Sequence, residues 1–410
     1  MKIFRTLAVL AAVATAGTAG AQPLLRYPSS EDTSDFAWTL YRKAAALKPG
    51  RNTLVSPYSA REAVGLAYVG ARGATAEGLA KALGAGGRED FLASAKETRS
   101  SIEAADPRTT IEVANSLWLR SDWSVLDSYV ARAQDGFGAE VFRRDFTPET
   151  VAEADAWVSS KTHGKIKKAI DELDPADKAV LLNAVYFKGI WEHPFDKAST
   201  KVQDFTLASG KVVRSPRMTS SAASRRDPEA GSFGYAENHG LQAVRLPYGS
   251  GRISMIVVLP AKGTALTNLG SKADGAWWRS LRAELLPRAG RVELPRFKFE
   301  ASEALNRPLI AMGAADAFDP ERADFRDMAG ARASAEKLAI GQVQQTAMIE
   351  VDEEGTVAAA KTSVSMYAGR GAMAEPEPPF VFIADRPFLF AIEDSGTGTL
   401  LFVGSVSDPR

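Results

Sequence analysis

The pattern of hydrophobic and polar positions changes character along the chain. In the N-terminal part, apolar residues recur at helical spacing. "SEDTSDFAWTLYRKAAAL" carries such a stripe and stops at "KPG". "SPYSAREAVGLAYVGARG" predicts a second helix, with Pro57 in its first turn and Gly70 and Gly73 near its end. "TAEGLAKALG" predicts a third, capped by Thr75 and ended by Gly84. A fourth is predicted in "TPETVAEADAWVSSKTHGKI", from Thr147 to the stop at Gly164.

Strand signals dominate further on. "TIEVANSLWLR", "KAVLLNAVYFKGIW", "LQAVRLPYG", "RISMIVVLP", "RVELPRFKFE", "TAMIEVDEEG", "FVFIADRPFLFAIED" and "TLLFVGSV" are β-branched or aromatic runs broken by turn residues. "AVLLNAVYF" is apolar except for Asn183, as in a strand buried on both faces. "ASGK", from Ala208 to Lys211, predicts a hairpin turn. The strands are scattered among helices without a βαβ rhythm, so the fold class is α+β. No repeat or linker divides the chain, and the Pro-rich "AEPEPPF" lies too close to the C-terminus to do so. One domain over residues 22–410 is the expectation.

Composition narrows the function. "MKIFR", then the apolar "TLAVLAAVATAG", then Ala19-Gly20-Ala21 form a secretory signal cleaved after Ala21. The apolar run is too short to span a membrane, and no later run reaches that length. A secreted or periplasmic location follows. Without Lys2 and Arg5, 48 of the 50 basic residues face 50 acidic ones, so no global field recruits nucleic acid or anionic lipid. The absence of cysteine excludes disulfides and thiolate-held metals.

Candidate chemistry is sparse. His163, His193 and His239 have no partner at metal-ligand spacing and are expected to be structural or exposed. The "GSG" at 249–251 and "DSGTG" at 394–398 match neither a nucleophile elbow nor a phosphate loop, and both join strands. Glu350, Asp352, Glu353 and Glu354 lack the alternating ligands of a calcium loop. The chain is not expected to be an enzyme, and no cofactor or metal is implied.

Five separate motifs, in order, carry a resemblance over essentially all of residues 22–410. They are "NTLVSPYSAREAV", "LLNAVYFKGIWEHPF", "LPRFKFE" with "ADF" at 323–325, "MIEVDEEGTVAAA", and "FIADRPFLFAIEDSGTGTLLFVGSV". Together they resemble the serpin family of serine protease inhibitors, as a bacterial secreted member. The resemblance implies a central mixed five-stranded sheet, two smaller sheets, eight to nine helices and an exposed reactive loop at about 353–380. It implies that a target serine protease cleaves this loop, forms a covalent acyl complex, and is trapped as the loop inserts into the central sheet. A metastable monomer without cofactor is expected. Non-inhibitory carriers and inhibitors of elastase-like, subtilisin-like or cysteine proteases share the fold and are the alternatives.

The loop residues suit insertion. Glu353, Glu354, Gly355, Thr356, Val357, Ala358, Ala359 and Ala360 match the family's hinge. Thr356, Ala358, Ala360, Thr362, Val364 and Met366 form an uncharged alternating set, and Lys361 carries the only charge of the opposite set. Extended at ~3.3 Å per residue, Thr356 to Arg370 covers about 50 Å, close to the ~55 Å diameter of a domain this size. Counting from the hinge places the scissile bond at Gly369; counting back from "FIADRPF" places it at Met373. Glycine gives a specificity pocket nothing to hold, so the bond is assigned to Arg370 and Gly371, with a trypsin-like target. Gly369, Met373 and Tyr367 are the alternatives, the last two pointing to elastase-, chymotrypsin- or subtilisin-like proteases. The resemblance also maps a sheet-opening latch onto Ser56, Ser59, Asn183 and Gln345, and the point of loop insertion onto Trp191. Gln345 stands where the family usually has histidine; it donates and accepts but does not titrate.

Overall fold

The computed structural model describes residues 33–220, 232–238, 240–356 and 378–410. Among them are eight α-helices of seven residues or more: Ser34–Leu47, Pro57–Gly70, Gly73–Leu83, Arg88–Glu103, Asp127–Phe137, Pro148–Lys161, Leu266–Lys272 and Gly275–Glu284. The helix count, the α+β class and the layered sheets agree with the sequence reading. No helix among the described residues is long and apolar enough to cross a membrane.

Two local expectations need correction. The third helix begins at Gly73 with Arg72 as its N-cap, so Thr75 is not the cap. The Thr75 hydroxyl instead accepts from the Asp324 amide at 3.0 Å, tying the helix to the 319–324 loop. The Thr147 helix ends at Lys161, before Gly164. Gly84 closes the third helix in the left-handed region at φ +67°, as its position predicts.

The central sheet runs in the order Phe297–Ala304, Ile340–Val351, Ala179–Ile190, Thr109–Arg120, Glu140–Arg144, with a two-residue strand, Gly355–Thr356, between the second and third. Residues 179–187 are all buried because both faces are covered. On one face Trp157, Ile166, Ile170 and Leu173 pack over Val180, Leu182, Ala184 and Met348. The helix Pro57–Gly70 meets this sheet and the strand Thr399–Val406, and is buried along its whole length. A helix enclosed on all sides must be apolar nearly all round; Ser59, Arg61 and Glu62 are its exceptions.

The strands Thr53–Val55, Thr399–Val406, Phe388–Asp394, Ile253–Pro260, Leu241–Tyr248 and Ser232–Asn238 form the second sheet. Leu286–Pro295 joins it to a third. The start of that strand pairs with 232–235, and its end pairs with Val212–Thr219 and, in parallel, with Phe380–Ile383. Lys201–Thr206 completes this third sheet against Val212–Thr219 through the expected "ASGK" turn, with Gly210 at φ +82°.

Candidate sheet-opening site and hinge

Asn183 is the one polar residue in a strand stretch that is otherwise apolar and wholly enclosed, so its amide must find partners inside the protein. It finds four. Its Oδ1 accepts from Ser59 Oγ at 2.6 Å and from Gln345 Nε2 at 3.0 Å. Its Nδ2 donates to the Ser59 carbonyl at 3.2 Å and to Asn115 Oδ1 at 2.8 Å. Gln345 faces the start of the helix Pro57–Gly70: its Oε1 accepts from the Ser56 amide at 2.8 Å and its Nε2 donates to the Ser56 carbonyl at 2.9 Å. Ser56 Oγ caps the helix by accepting from the Ser59 amide, and donates to the Leu401 carbonyl at 2.7 Å.

The structure thus brings Ser56, Ser59, Asn183 and Gln345 into one network spanning a helix and two strands. Asn115 belongs to it and escaped the sequence reading. The sequence signal is weaker than for Asn183, because Asn115 is followed by polar Ser116; the strand register is what sets Asn115 opposite Asn183. All members are neutral, so the network needs no counter-ion and gives the helix no titratable latch.

The two strands held by this network are paired in parallel from Ile340↔Ala179 to Ala347↔Val185. Beyond that point Gly355–Thr356 occupies the space between them, with Thr356 opposite Val351 on one side and Gly189 on the other. The turn preceding it is built by Asp352. Its Oδ1 accepts from the amides of Glu354 at 2.9 Å and Gly355 at 3.2 Å, and its own amide donates to the Gly355 carbonyl at 2.9 Å. Gly355 has φ +148°, and a Cβ there would lie 2.0 Å from the Gly189 carbonyl oxygen. The glycine is therefore required by backbone approach, beyond any freedom it gives the hinge.

Trp191 stands at this hinge and not in the latch network. Its indole N–H donates to the Asp352 carbonyl at 2.9 Å, its amide donates to the Glu354 carbonyl at 2.9 Å, and its ring stacks on Tyr248 at 4.2 Å. The Tyr248 hydroxyl shares a 2.8 Å hydrogen bond with Thr356 Oγ1. Burial pushes the Tyr248 phenol far up, which keeps it neutral. Glu353 is nearly inaccessible and pairs with Arg296 at 2.6 Å. Burial opposes its ionisation, but Arg296 and the Thr200 hydroxyl outweigh burial and hold the carboxyl below its ordinary range. Lys197 pairs with Glu354 at the rim.

Other assignments fall elsewhere. Hinge residues Val357, Ala358, Ala359 and Ala360, and the scissile candidates Tyr367, Gly369, Arg370, Gly371 and Met373, lie outside the described residues, as does His239. His163 meets Glu112 at 2.8 Å beside the Tyr186 ring, and His193 is exposed. Among the described residues no cluster of three or more His, Cys, Asp or Glu side chains is arranged to hold a metal.

Known proteins share this architecture and resemble this sequence. The profile of the Serpin (serine protease inhibitor) family matches residues 31–409. Iripin-8 of Ixodes ricinus is 33% identical over 367 residues, covering 87% of this chain and 88% of that protein. Leukocyte elastase inhibitor of Bos taurus is 32% identical over 387 residues, covering 91% and 97%. The crystal structure of the thermophilic serpin tengpin in its native state aligns with a TM-score of 0.81 at 28% identity, over 95% of this chain and 96% of that one. The chain belongs to the serpin family.

Proposed function

We propose that this protein is an exported inhibitor of serine proteases that acts once, by being cut. The target attacks the loop at Arg370–Gly371, an acyl bond forms between protease and loop, and the freed hinge continues as a strand down the central sheet. The observation that carries this reading is the register of Thr356. It already sits between Val351 and Gly189, so each further residue steps one position down both flanks. Six steps on, Thr362 meets both Gln345 and Asn183, which are six below Val351 and Gly189; four more bring Met366 beside Ala179. The uncharged set Thr356 to Met366 then shares the face of Asn183 and Gln345, and an inserting hydroxyl at Thr362 can take over hydrogen bonds that the latch gives up. Lys361 falls on the opposite face.

Arginine before the bond selects a trypsin-like enzyme. The partner is the protease alone, the inhibitor acts as a monomer, and neither cofactor nor nucleic acid takes part. The leader ending at Ala21 sends the protein to the periplasm or beyond. Incubation with trypsin-like and elastase-like proteases, followed by denaturing electrophoresis, tests the reading. The expected result is a denaturant-resistant adduct with a trypsin-like enzyme and a C-terminal fragment beginning at Gly371 by mass spectrometry. Clean cleavage without adduct and without gain in heat resistance would point to a non-inhibitory carrier instead.

A further inference from the structure

Glu62 is out of place. It lies on the helix Pro57–Gly70, one turn after Ser59, is 3% exposed, and its Oε2 has no hydrogen-bond partner among the described residues. Among the described residues, the charged and titratable groups around it are Tyr58 and Arg61 on its own helix, and Arg99 and Glu103 on the helix Arg88–Glu103. Both cations are engaged by other groups. Arg61 lies over the Phe91 ring at 4.6 Å, and Arg99 donates to the carbonyls of Asp135 and Gly136. Glu103 adds negative charge. The carboxyl borders a cavity of about 20 Å³ lined also by Ser94, Thr98, Thr397 and Thr399, room for a single water and no organic ligand. A carboxylate enclosed this way loses most of its hydration while its nearest cations are engaged by other groups, so the neutral acid is the favoured form.

We propose that Glu62 is a proton-linked control on the latch helix: native packing holds its carboxyl neutral, and loss of that proton unseats Ser56 and Ser59 and lets the central sheet open more readily. The role of the latch in opening rests on the function proposed above; the proton linkage does not. Burial, ahead of the opposing pull of Arg99 and Arg61, pushes the carboxyl up to about 8. The native state therefore keeps a proton that the unfolded chain releases near pH 4.5. Stability contributed by this group is complete below that pH and falls as pH rises toward 8.

The test compares unfolding equilibria of wild type, Glu62→Gln and Glu62→Leu from pH 5 to pH 9 at fixed ionic strength. Wild type should lose on the order of 10²–10³ in its folding equilibrium relative to the Gln variant across that range. Intrinsic-rate-corrected hydrogen exchange in strands 179–190 and 340–351 should quicken with pH in wild type only. Parallel pH curves for wild type and either variant that folds would overturn the proposal. If neither folds, the wild type labelled with ¹³C-carboxyl glutamate decides: no carboxyl titrating between pH 7 and 9 overturns it as well. No readout involves a protease, so failure to inhibit leaves the linkage standing, and inhibition with parallel curves removes it.

Discussion

The gap between the strands Ala179–Ile190 and Ile340–Val351 is closed in two different ways at its two ends. Its lower part, from Ile340↔Ala179 to Ala347↔Val185, is zipped by a backbone ladder and locked by neutral amides and hydroxyls. Its upper part is already wedged by Gly355–Thr356 and held by charge and aromatic stacking around Glu353 and Trp191. The contrast follows from dielectric. A buried network must be fully satisfied, and neutral groups satisfy one another at no cost in charge desolvation. Near the rim, each ion pair has a cation that reaches water, Arg296 or Lys197, set against a more enclosed carboxylate, Glu353 or Glu354. On the function proposed above, the lower part resists opening and the upper part is where opening starts.

The sharpest way to break this contrast is Asn183→Ala. It leaves Ser59 Oγ, the Gln345 amide and Asn115 Oδ1 each short of a buried partner, and each such loss costs about 1–3 kcal/mol. Destabilisation of roughly 3 kcal/mol or more is expected in denaturant unfolding. Hydrogen exchange should accelerate in the lower ladder while the Trp191 environment at the hinge stays as in wild type. A disturbed hinge in this variant would mean the two ends are one mechanical unit.

Glu353→Gln acts at the other end and has a smaller effect. It removes the charge from a pair with Arg296, worth roughly 2 kcal/mol for hydrogen bonds to a charged group. Because the native carboxyl is held below its ordinary range, its contribution is fully present above that range and is lost as pH falls through the lowered native value. Wild type should thus show an acid limb in Trp191 fluorescence, identified by its absence from Trp191→Phe, and Glu353→Gln should lack the limb. Persistence of the limb in Glu353→Gln would place the titrating group elsewhere.

How much of this was legible in the sequence depends on whether a residue's role is local. The apolar run around Asn183, the "ASGK" turn and the Gly84 stop are written in neighbouring residues, and the structure has them where the pattern puts them. Thr75 looked like a cap because it is a good one; a tertiary bond to Asp324 took the hydroxyl instead, and the helix started earlier. Gly355 reads as a flexible hinge, yet its need for a bare Cα comes from Gly189, distant in sequence. Ser56, Ser59, Asn183 and Gln345 were assigned through family resemblance, since no spacing rule joins a helix start to two strands. Glu62 raised no signal, because one carboxylate among charged and small residues looks exposed until the helix is seen to be enclosed.

The smallest effect is the most informative about the rim. Lys197 pairs with Glu354, but its side chain is 63% exposed while Glu354 is 18% exposed. An ion pair with one partner in water gains little from its geometry and is screened by salt. Lys197→Ala should shift the unfolding midpoint slightly at low ionic strength and not at all at ~1 M salt, where the screening length is about 3 Å. Glu353→Gln should keep most of its effect at that salt, because Glu353 is nearly inaccessible and Arg296 contacts it directly. Equal salt sensitivity of the two variants would show that Glu353 is as hydrated as its neighbour, and the hinge would then be tied by the Trp191 hydrogen bonds and the Tyr248 stack rather than by charge.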